Sequence, residues 1–133
     1  MKRRIARDVV FKLVYESQIK NIDTKEIYDD YIRREDAITD ETELSFVAKC
    51  MSGITEYKQE ILDTISAHMV GWSLTRIGYI ERSILVFAVY ELLKSETPKE
   101  IIINEAIEIC KKYGDDKTPD FVNGVLAKIV NQN

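Results

Sequence analysis

Four basic side chains at the start of the chain have the types and spacing most suited to binding chemistry. Lys2, Arg3, Arg4 and Arg7 all precede the first acidic residue, Asp8. In a helix, positions three and four apart are neighbours, so the three guanidinium groups would share one side of the first turn and be available to phosphate. The positive N-terminal end of a helix repels cations, so arginines placed there do not stabilise the helix. Their position therefore favours a role in anion binding. The alternative is a plain solvated start of the chain.

The overall charge limits what these basic residues can hold. The chain carries a net charge of −4, although its first seven residues contribute +4, so the remainder sums to −8. Such an acidic protein does not bind a polyanion over its whole surface. It is able to hold one at its basic end.

Catalytic constellations are poorly represented in the sequence. His68 is the single histidine. One histidine gives little support for a Ser–His–Asp triad or for a metal site with histidine ligands. Glu105 and Glu108 lie one helical turn apart, but no Glu-x-x-His pair accompanies them. Cys50 and Cys110 fall on apolar stripes and are interpreted as buried, reduced thiols. The sequence therefore predicts a protein that is not an enzyme and needs no cofactor or metal.

A second unusual stretch lies near the C-terminus. Asn123 and Gly124 are unfavourable inside a helix, so Gly124 is expected at a close backbone approach and Asn123 as a buried, hydrogen-bonded residue. Asn104 and Glu105 would supply the other side of that polar network. Phe121 lies one step off the apolar stripe and is expected to be exposed at least in part.

The elements that must position these residues are helices. Only two prolines and five glycines occur in 133 residues, and apolar residues recur at helical spacing throughout. The longest apolar run, residues 84–90, is far shorter than the roughly 20 residues that span a bilayer. No signal-peptide pattern appears. The pattern predicts an all-α, cytoplasmic, globular domain of about seven helices in two interlocked halves.

Start and stop signals give the expected helix limits. Pro98 ends one C-terminal helix, Gly114 ends the next in a left-handed cap conformation, and Thr118 caps the last with Pro119 at its first position. Gly53, in the middle of a predicted helix, indicates a close helix crossing. The expected N-terminal helices are residues 2–20, 24–34 and one long helix over 41–69, followed by a short helix over 74–77 that Ser73 caps.

Several motifs together carry a resemblance to a known family. They are Arg3-Arg4-x-x-Arg7 with Leu13-Val-Tyr15, Trp72-Ser-Leu-Thr-Arg76-Ile-Gly-Tyr-Ile-Glu81-Arg, Ile84-Leu with Tyr90-Glu91-Leu92, Pro98, Ile103-Asn104-Glu105-Ala106-Ile107-Glu108, and Phe121-Val-Asn-Gly-Val-Leu126. In this order and spacing, the chain resembles the NusB transcription antitermination factors along its whole length.

The resemblance implies an all-helical fold of two three-helix-type sub-bundles, at about residues 1–70 and 71–133. It also implies a non-enzymatic role on RNA. NusB-like proteins bind the box A element of nascent ribosomal leader RNA as a heterodimer with the ribosomal small-subunit protein NusE. With other Nus factors and RNA polymerase, the pair suppresses premature termination, and no membrane is involved.

The resemblance also implies which residues do this work. The expected RNA-binding residues are Lys2, Arg3, Arg4, Arg7, Lys117 and Phe121. The expected NusE-binding residues are Tyr15, Arg76, Tyr79, Glu81 and Arg82. Beside Lys117 stand two aspartates that repel phosphate, which suggests reliance on the partner for RNA affinity. A helical protein–protein adaptor without intrinsic RNA binding is the alternative function.

Overall fold

Only helices, joined by turns, form the regular structure of the described residues. The computed structural model describes residues 2–69, 74 and 76–131, so Trp72 and the predicted cap Ser73 lie outside the described residues. The predicted helix over 74–77 and the predicted division near residue 70 fall on stretches described only in part. Within the described ranges, the helices are α1 (Lys2–Lys20), α2 (Thr24–Tyr31), α3 (Glu41–Glu56), α4 (Lys58–Ala67), α5 (Tyr79–Lys94), α6 (Lys99–Tyr113) and α7 (Thr118–Val130). The all-α prediction is confirmed.

Helix α5 is the centre of the fold. Every residue from Ser83 to Glu91 is buried, although the sequence indicated only a wide apolar face. The reason is that α5 packs against five other helices, namely α1, α3, α4, α6 and α7. A helix surrounded in this way buries residues all round its axis rather than along one stripe. The first and second halves of the chain therefore share one core.

The predicted long helix over residues 41–69 is wrong at Tyr57. There the backbone leaves helical geometry (φ −105°, ψ 21°), and α3 ends where α4 begins. The change of direction lets α3 and α4 each place an apolar stripe against α5. The ring of Tyr57 then lies partly buried beneath Lys94 of α5, whose Nζ is 4.3 Å from the ring centroid. At its other end, α3 begins with an Asp40 side chain that accepts from the Glu43 N–H and so caps the helix.

Gly53 marks a close crossing of α3 over α5, as predicted. A Cβ atom at this position would lie within 2.7 Å of three side-chain atoms of Tyr90. Gly124 looked similar in the sequence, but a Cβ there would meet nothing within 4 Å, and both Gly124 and Asn123 are exposed. The expectation of a buried polar network around Asn123 is therefore wrong, since Asn104 is exposed as well.

The turn before α7 also differs from the expectation. Gly114 adopts an extended conformation (φ −92°, ψ −174°) rather than the predicted left-handed one. A glycine is required at position 114 for steric reasons, since a Cβ atom there would lie 2.6 Å from the Thr118 side chain. Thr118 is the first residue of α7 rather than its cap, and Asp115 performs the capping, since its carboxylate accepts from the N–H groups of Lys117 and Thr118.

The two glycines permit a matched test of the crossing. Replacing Gly53 with alanine is expected to cost about 1–3 kcal/mol through overpacking against Tyr90. The same change at Gly124 is expected to stabilise α7 by up to about 1 kcal/mol, because alanine favours the helix and the space is open. Urea denaturation of both variants measures these effects. In a Tyr90→Val background the Gly53→Ala penalty should disappear; a penalty that persists there would show that Tyr90 is not its cause.

Candidate nucleic-acid interface

Arg3 and Arg4 stand at the surface in the first turn of α1. The side chain of Arg4 is 57% exposed and lies against α6, where its Nε and Nη2 atoms donate to the two carboxylate oxygens of Glu105 at 3.2 and 2.5 Å. Glu108 lies 3.8 Å from the same guanidinium. The side chain of Arg3 is 42% exposed. It points toward α3, with its guanidinium carbon 4.2 Å from the ring centroid of Phe46. Both arginines are accessible, but only Arg4 has a close carboxylate partner.

Arg7 is placed differently, and the expectation that it shares an exposed cluster with Arg3 and Arg4 is wrong. Only 5% of the residue is exposed, and both of its terminal nitrogens donate to the Glu91 carboxylate of α5, which is 2% exposed. Phe46 and Phe87 flank the guanidinium at 5.3 and 5.8 Å. Arg7 lies about one helical turn after Arg3, but its side chain is directed into the core toward α5. The side chain of Lys2 lies outside the described part of the structure.

Further along, α1 and α6 are joined by Asp8. Its Oδ1 atom accepts from the Tyr113 hydroxyl at 2.7 Å and from Lys112 Nζ at 2.9 Å, while Lys12 lies 3.3 Å from Oδ2. Burial raises the pKa of Asp8, but these donors together outweigh burial and hold it below its ordinary value of 3.8. Phe11 stacks on Tyr113 next to this group, at 4.8 Å between ring centroids. These contacts fix the direction of α1, and hence of Arg3 and Arg4, along α6.

Asp8 should therefore stabilise the fold in a pH-dependent way. Because its folded pKa is depressed, its contribution is present above the unfolded value of about 3.9 and is lost as the pH falls through the folded pKa. Replacing Asp8 with asparagine is expected to cost about 1–2 kcal/mol at neutral pH and less at pH 3, where the contribution of the carboxylate is declining. Urea denaturation at both pH values measures this. The exposed Asp29→Asn variant is the control, and a cost at Asp8 that does not change with pH would contradict the assignment.

Lys117 and Phe121 lie at the other end of α6. From Glu105, the partner of Arg4, to Tyr113 the α6 axis rises by roughly 12 Å, and the turn to α7 follows. Across the described ranges, α7 packs on α4, α5 and α6 but not on α1. Lys117 is exposed, whereas Phe121 is partly buried against the core. The structure thus places the expected RNA-binding residues in two separate groups, one at the start of α1 beside α6 and the other in the turn after α6 and at the start of α7.

The expected partner-binding residues are also divided. Tyr79, 53% exposed, and Arg82 line a cavity of about 300 Å³ between the start of α5 and the end of α1, whose rim includes the exposed Ile19. The Nε atom of Arg82 is buried and has no hydrogen-bond partner in the described part of the chain. This groove combines an exposed aromatic and a cation with no carboxylate within 4 Å among the described residues, which are features of a binding surface.

Glu81, by contrast, faces away from the Arg82 groove. Its Oε2 atom lies 2.8 Å from the hydroxyl of Thr118, and this contact ties the start of α5 to the start of α7. Tyr15 belongs to an aromatic group on α1, with its ring centroid 6.1 Å from that of Phe11. Arg76 is exposed in the turn before α5. The expected partner-binding residues are therefore spread over the start of α5, the turn before it and α1.

Sequence reasoning missed Phe46, Thr97 and Ile101, which line the surface beside the exposed arginines. Together with Arg3 and Arg4 they surround a cavity of about 340 Å³. The 48% exposure of Ile101 runs against its residue type. For Phe46 and Ile101, the sequence signal that could have identified them is their position relative to the apolar stripe of their helix. Phe46 lies one step off the stripe of α3, and Ile101 lies one step off that of α6.

The groups considered for catalysis take structural positions. Cys50 and Cys110 are free and buried, and burial raises the pKa of each thiol to about 12, so both are protonated at neutral pH. The Nδ1 atom of His68 lies 2.8 Å from the Thr64 carbonyl at the end of α4. No cluster of potential metal ligands occurs among the described residues. None of the helices in those ranges combines the length and apolarity that a membrane span requires.

The fold and this surface define a class: an all-helical binding protein whose exposed arginines stand at one end of its first helix. The chain belongs to the NusB family, whose model matches residues 3–131. It is 39% identical to the transcription antitermination protein NusB of Bacillus pumilus over 98% of this chain and 96% of that protein. It is 36% identical to the Clostridium perfringens protein of the same name, over 97% and 96%. The resemblance seen in the sequence is confirmed.

Solved structures agree with this assignment. NusB of T. maritima superposes with a TM-score of 0.87 at 34% identity, covering 98% of this chain and 92% of that one. A chain from a crystal structure of the antitermination factors NusB and NusE in complex with dsRNA superposes with a TM-score of 0.86 at 28% identity, covering 99% and 98%. The curated relatives are transcription antitermination proteins, so family membership also confirms the expected non-enzymatic class.

Proposed function

We propose that this protein binds the box A element of nascent ribosomal leader RNA as a heterodimer with NusE and thereby suppresses premature termination. The observation that carries the proposal is the likeness, over 99% of the chain, to a structure in which NusB and NusE are in complex with RNA. That RNA is double-stranded, whereas box A is proposed here to bind as an unpaired strand. In the cytoplasm the pair would join other Nus factors on RNA polymerase.

The RNA surface is proposed to run along α6 from Arg3 and Arg4 to Lys117 and Phe121. Arginine forks bind phosphate bidentately, and an aromatic face stacks on an unpaired base. Lys2 would add a further positive charge at the first group. Arg7 contributes indirectly, because its pair with Glu91 holds α1 in place beneath the exposed arginines. An RNA strand would have to span the distance between the two groups.

NusE is proposed to dock around the start of α5. Tyr79 and Arg82 line one groove there, Arg76 is exposed in the preceding turn, and Glu81 contacts Thr118 of α7. Tyr15 would contribute from α1. Exposed aromatic and arginine side chains are where binding energy concentrates in interfaces. Because the chain is acidic overall, a basic partner would also raise the local affinity for RNA.

One observation favours the alternative, an adaptor that binds only protein. Arg4 is already paired with Glu105 and lies near Glu108, and Arg7 is paired with Glu91, so among the three arginines only Arg3 lacks a described carboxylate closer than 4.0 Å. The two functions differ in a titration of labelled box A RNA, with and without NusE, at two salt concentrations. The RNA-binding proposal requires an affinity that falls as salt rises. An adaptor shows no salt-sensitive RNA binding in either case.

The Arg4–Glu105 pair should compete with RNA. Replacing Glu105 with glutamine removes the opposing charge, so the affinity of the NusE complex for box A RNA is expected to rise by up to about fivefold, while stability falls by no more than about 1 kcal/mol. The exposed Glu100→Gln variant, on the same helix, is the control for net charge. A weaker affinity for the Glu105 variant would show that the carboxylate supports RNA binding rather than opposing it.

A further inference from the structure

Two surface grooves meet at Phe46. The smaller, of about 340 Å³, lies toward α6 and is lined by Arg4 and Ile101. The larger, of about 760 Å³, lies between α3 and the end of α5 and is lined by Lys49 and Ser95. Both grooves also include Arg3, Phe46 and Thr97. The guanidinium of Arg3 thus covers an aromatic ring that would otherwise be open to the surface at their junction.

Arg3 is held more weakly than its two neighbours. Arg4 and Arg7 each make two hydrogen bonds to one carboxylate. Among the described residues, the nearest carboxylate oxygen to Arg3 belongs to Glu43, at 4.0 Å, and that oxygen is buried and has no hydrogen-bond partner there. The main contact of Arg3 is therefore its cation–π contact with Phe46, and the side chain is 42% exposed. Among the three arginines, this guanidinium is the freest to leave its position.

We propose that Phe46 is a stacking platform for an unpaired base of the bound RNA. This inference rests on the proposed function and adds a base-binding residue to it. In the bound state, Arg3 moves from the ring to a backbone phosphate, and a base takes its place on the ring. Every base has a face that stacks on an aromatic ring, so the platform would tolerate different sequences.

The charges around the junction favour a nucleotide there. Arg3 and Arg4 lie beside the ring on the α6 side, and Lys49 lies beside it along α3. The carboxylates of Glu41 and Glu96 also line the larger groove. Glu105, the partner of Arg4, lines the smaller groove. Phosphate is therefore favoured at Arg3, which among the described residues has no carboxylate oxygen closer than 4.0 Å. An aromatic face next to separate phosphate-binding cations is the arrangement that single-stranded nucleic acid uses. Thr97 offers a hydroxyl to the edge of a stacked base.

The first experiment compares two replacements of Phe46 in the complex with NusE, using box A RNA as the probe. Phe46→Leu keeps an apolar side chain but removes the stacking face, so affinity is expected to fall by about 5- to 150-fold. Phe46→Tyr keeps the ring and should bind within about twofold of the wild type. Tyr28→Leu, a partly exposed aromatic on α2, is the matched control. Unchanged affinity in a folded Phe46→Leu variant would overturn the inference.

A second measurement needs no substitution. Box A RNA carrying 5-iodouridine or 5-iodocytidine at single positions is irradiated in the wild-type complex, and the cross-linked peptide is identified by mass spectrometry. A cross-link at Phe46 for one RNA position is expected. If RNA binds and cross-links form only at other residues, the assignment of Phe46 as a stacking platform is wrong, while the proposed function stands. If the wild-type complex binds no RNA at all, the proposed function and the inference both fail.

Discussion

Replacing Glu91 with glutamine is expected to lower the free energy of unfolding by about 3–5 kcal/mol. Glu91 and Arg7 are among the most deeply buried polar residues of the described chain, at 2% and 5% exposed. Without the carboxylate charge, the guanidinium stays in the interior with no compensating anion, which is the costly outcome for a buried ion pair. In a chain of this size, the melting temperature should fall by about 10–20 °C.

Two controls define the cause of that loss. The exposed pair of Arg34 with Glu16 should contribute only about 0.2–1 kcal/mol, so Arg34→Ala gives the scale for a surface pair. Replacing both buried partners, Arg7→Met with Glu91→Leu, removes both charges and should recover most of the stability. Thermal and urea denaturation measure all three variants. A Glu91→Gln loss as small as that of Arg34→Ala would mean that the pair is not buried in solution.

The second large effect concerns RNA. Replacing Arg3 and Arg4 together with alanine is expected to weaken the binding of box A RNA by the NusE complex about 100-fold, because two charge-assisted contacts to phosphate are lost. The log–log salt slope should become shallower by about 1.4, at about 0.7 per phosphate on a single strand. Fluorescence anisotropy over a salt series measures both quantities. Helicity should not change, since both side chains are at the surface.

The design of that variant depends on leaving Arg7 in place. A triple replacement that included Arg7 would also break the buried pair with Glu91, and any loss of RNA binding could then come from unfolding. Lys25→Ala with Arg33→Ala makes the same change in net charge on exposed residues of α2 and its following turn. Equal loss of RNA affinity in the two double variants would show that overall charge, rather than the end of α1, controls binding.

Much of the fold was predictable because local signals and packing agree. Helical spacing located the stripes of α6 and α7, and Pro98 marked the separation of α5 from α6. Gly53 was recognised as a crossing because glycine is unfavourable in the middle of a predicted helix. Gly124 carried the same local signal, yet it faces solvent, and a single sequence does not show which neighbour a glycine meets. The break at Tyr57 depends on how two helices pack on α5, which no local pattern encodes.

The site was predictable only in its residue types. The spacing of Arg3, Arg4 and Arg7 placed them on one side of α1 but gave no information on their partners, since Glu91 and Glu105 are 84 and 101 positions away in the chain from Arg7 and Arg4. Burial of Arg7 follows from the position of α5, and the pairing of Arg4 follows from that of α6. Phe46 was missed because its proposed stacking role depends on its contact with Arg3, which is distant from it in the sequence.

The most direct test of the RNA-binding surface is amide chemical-shift mapping of this 15.4 kDa protein in its complex with NusE, before and after addition of box A RNA. The proposal predicts RNA-induced shifts at Arg3, Arg4 and Phe46 and at the turn around Lys117, with α2 unaffected. Shifts confined to the groove of Tyr79 and Arg82, or no shifts at all, would contradict the central claim.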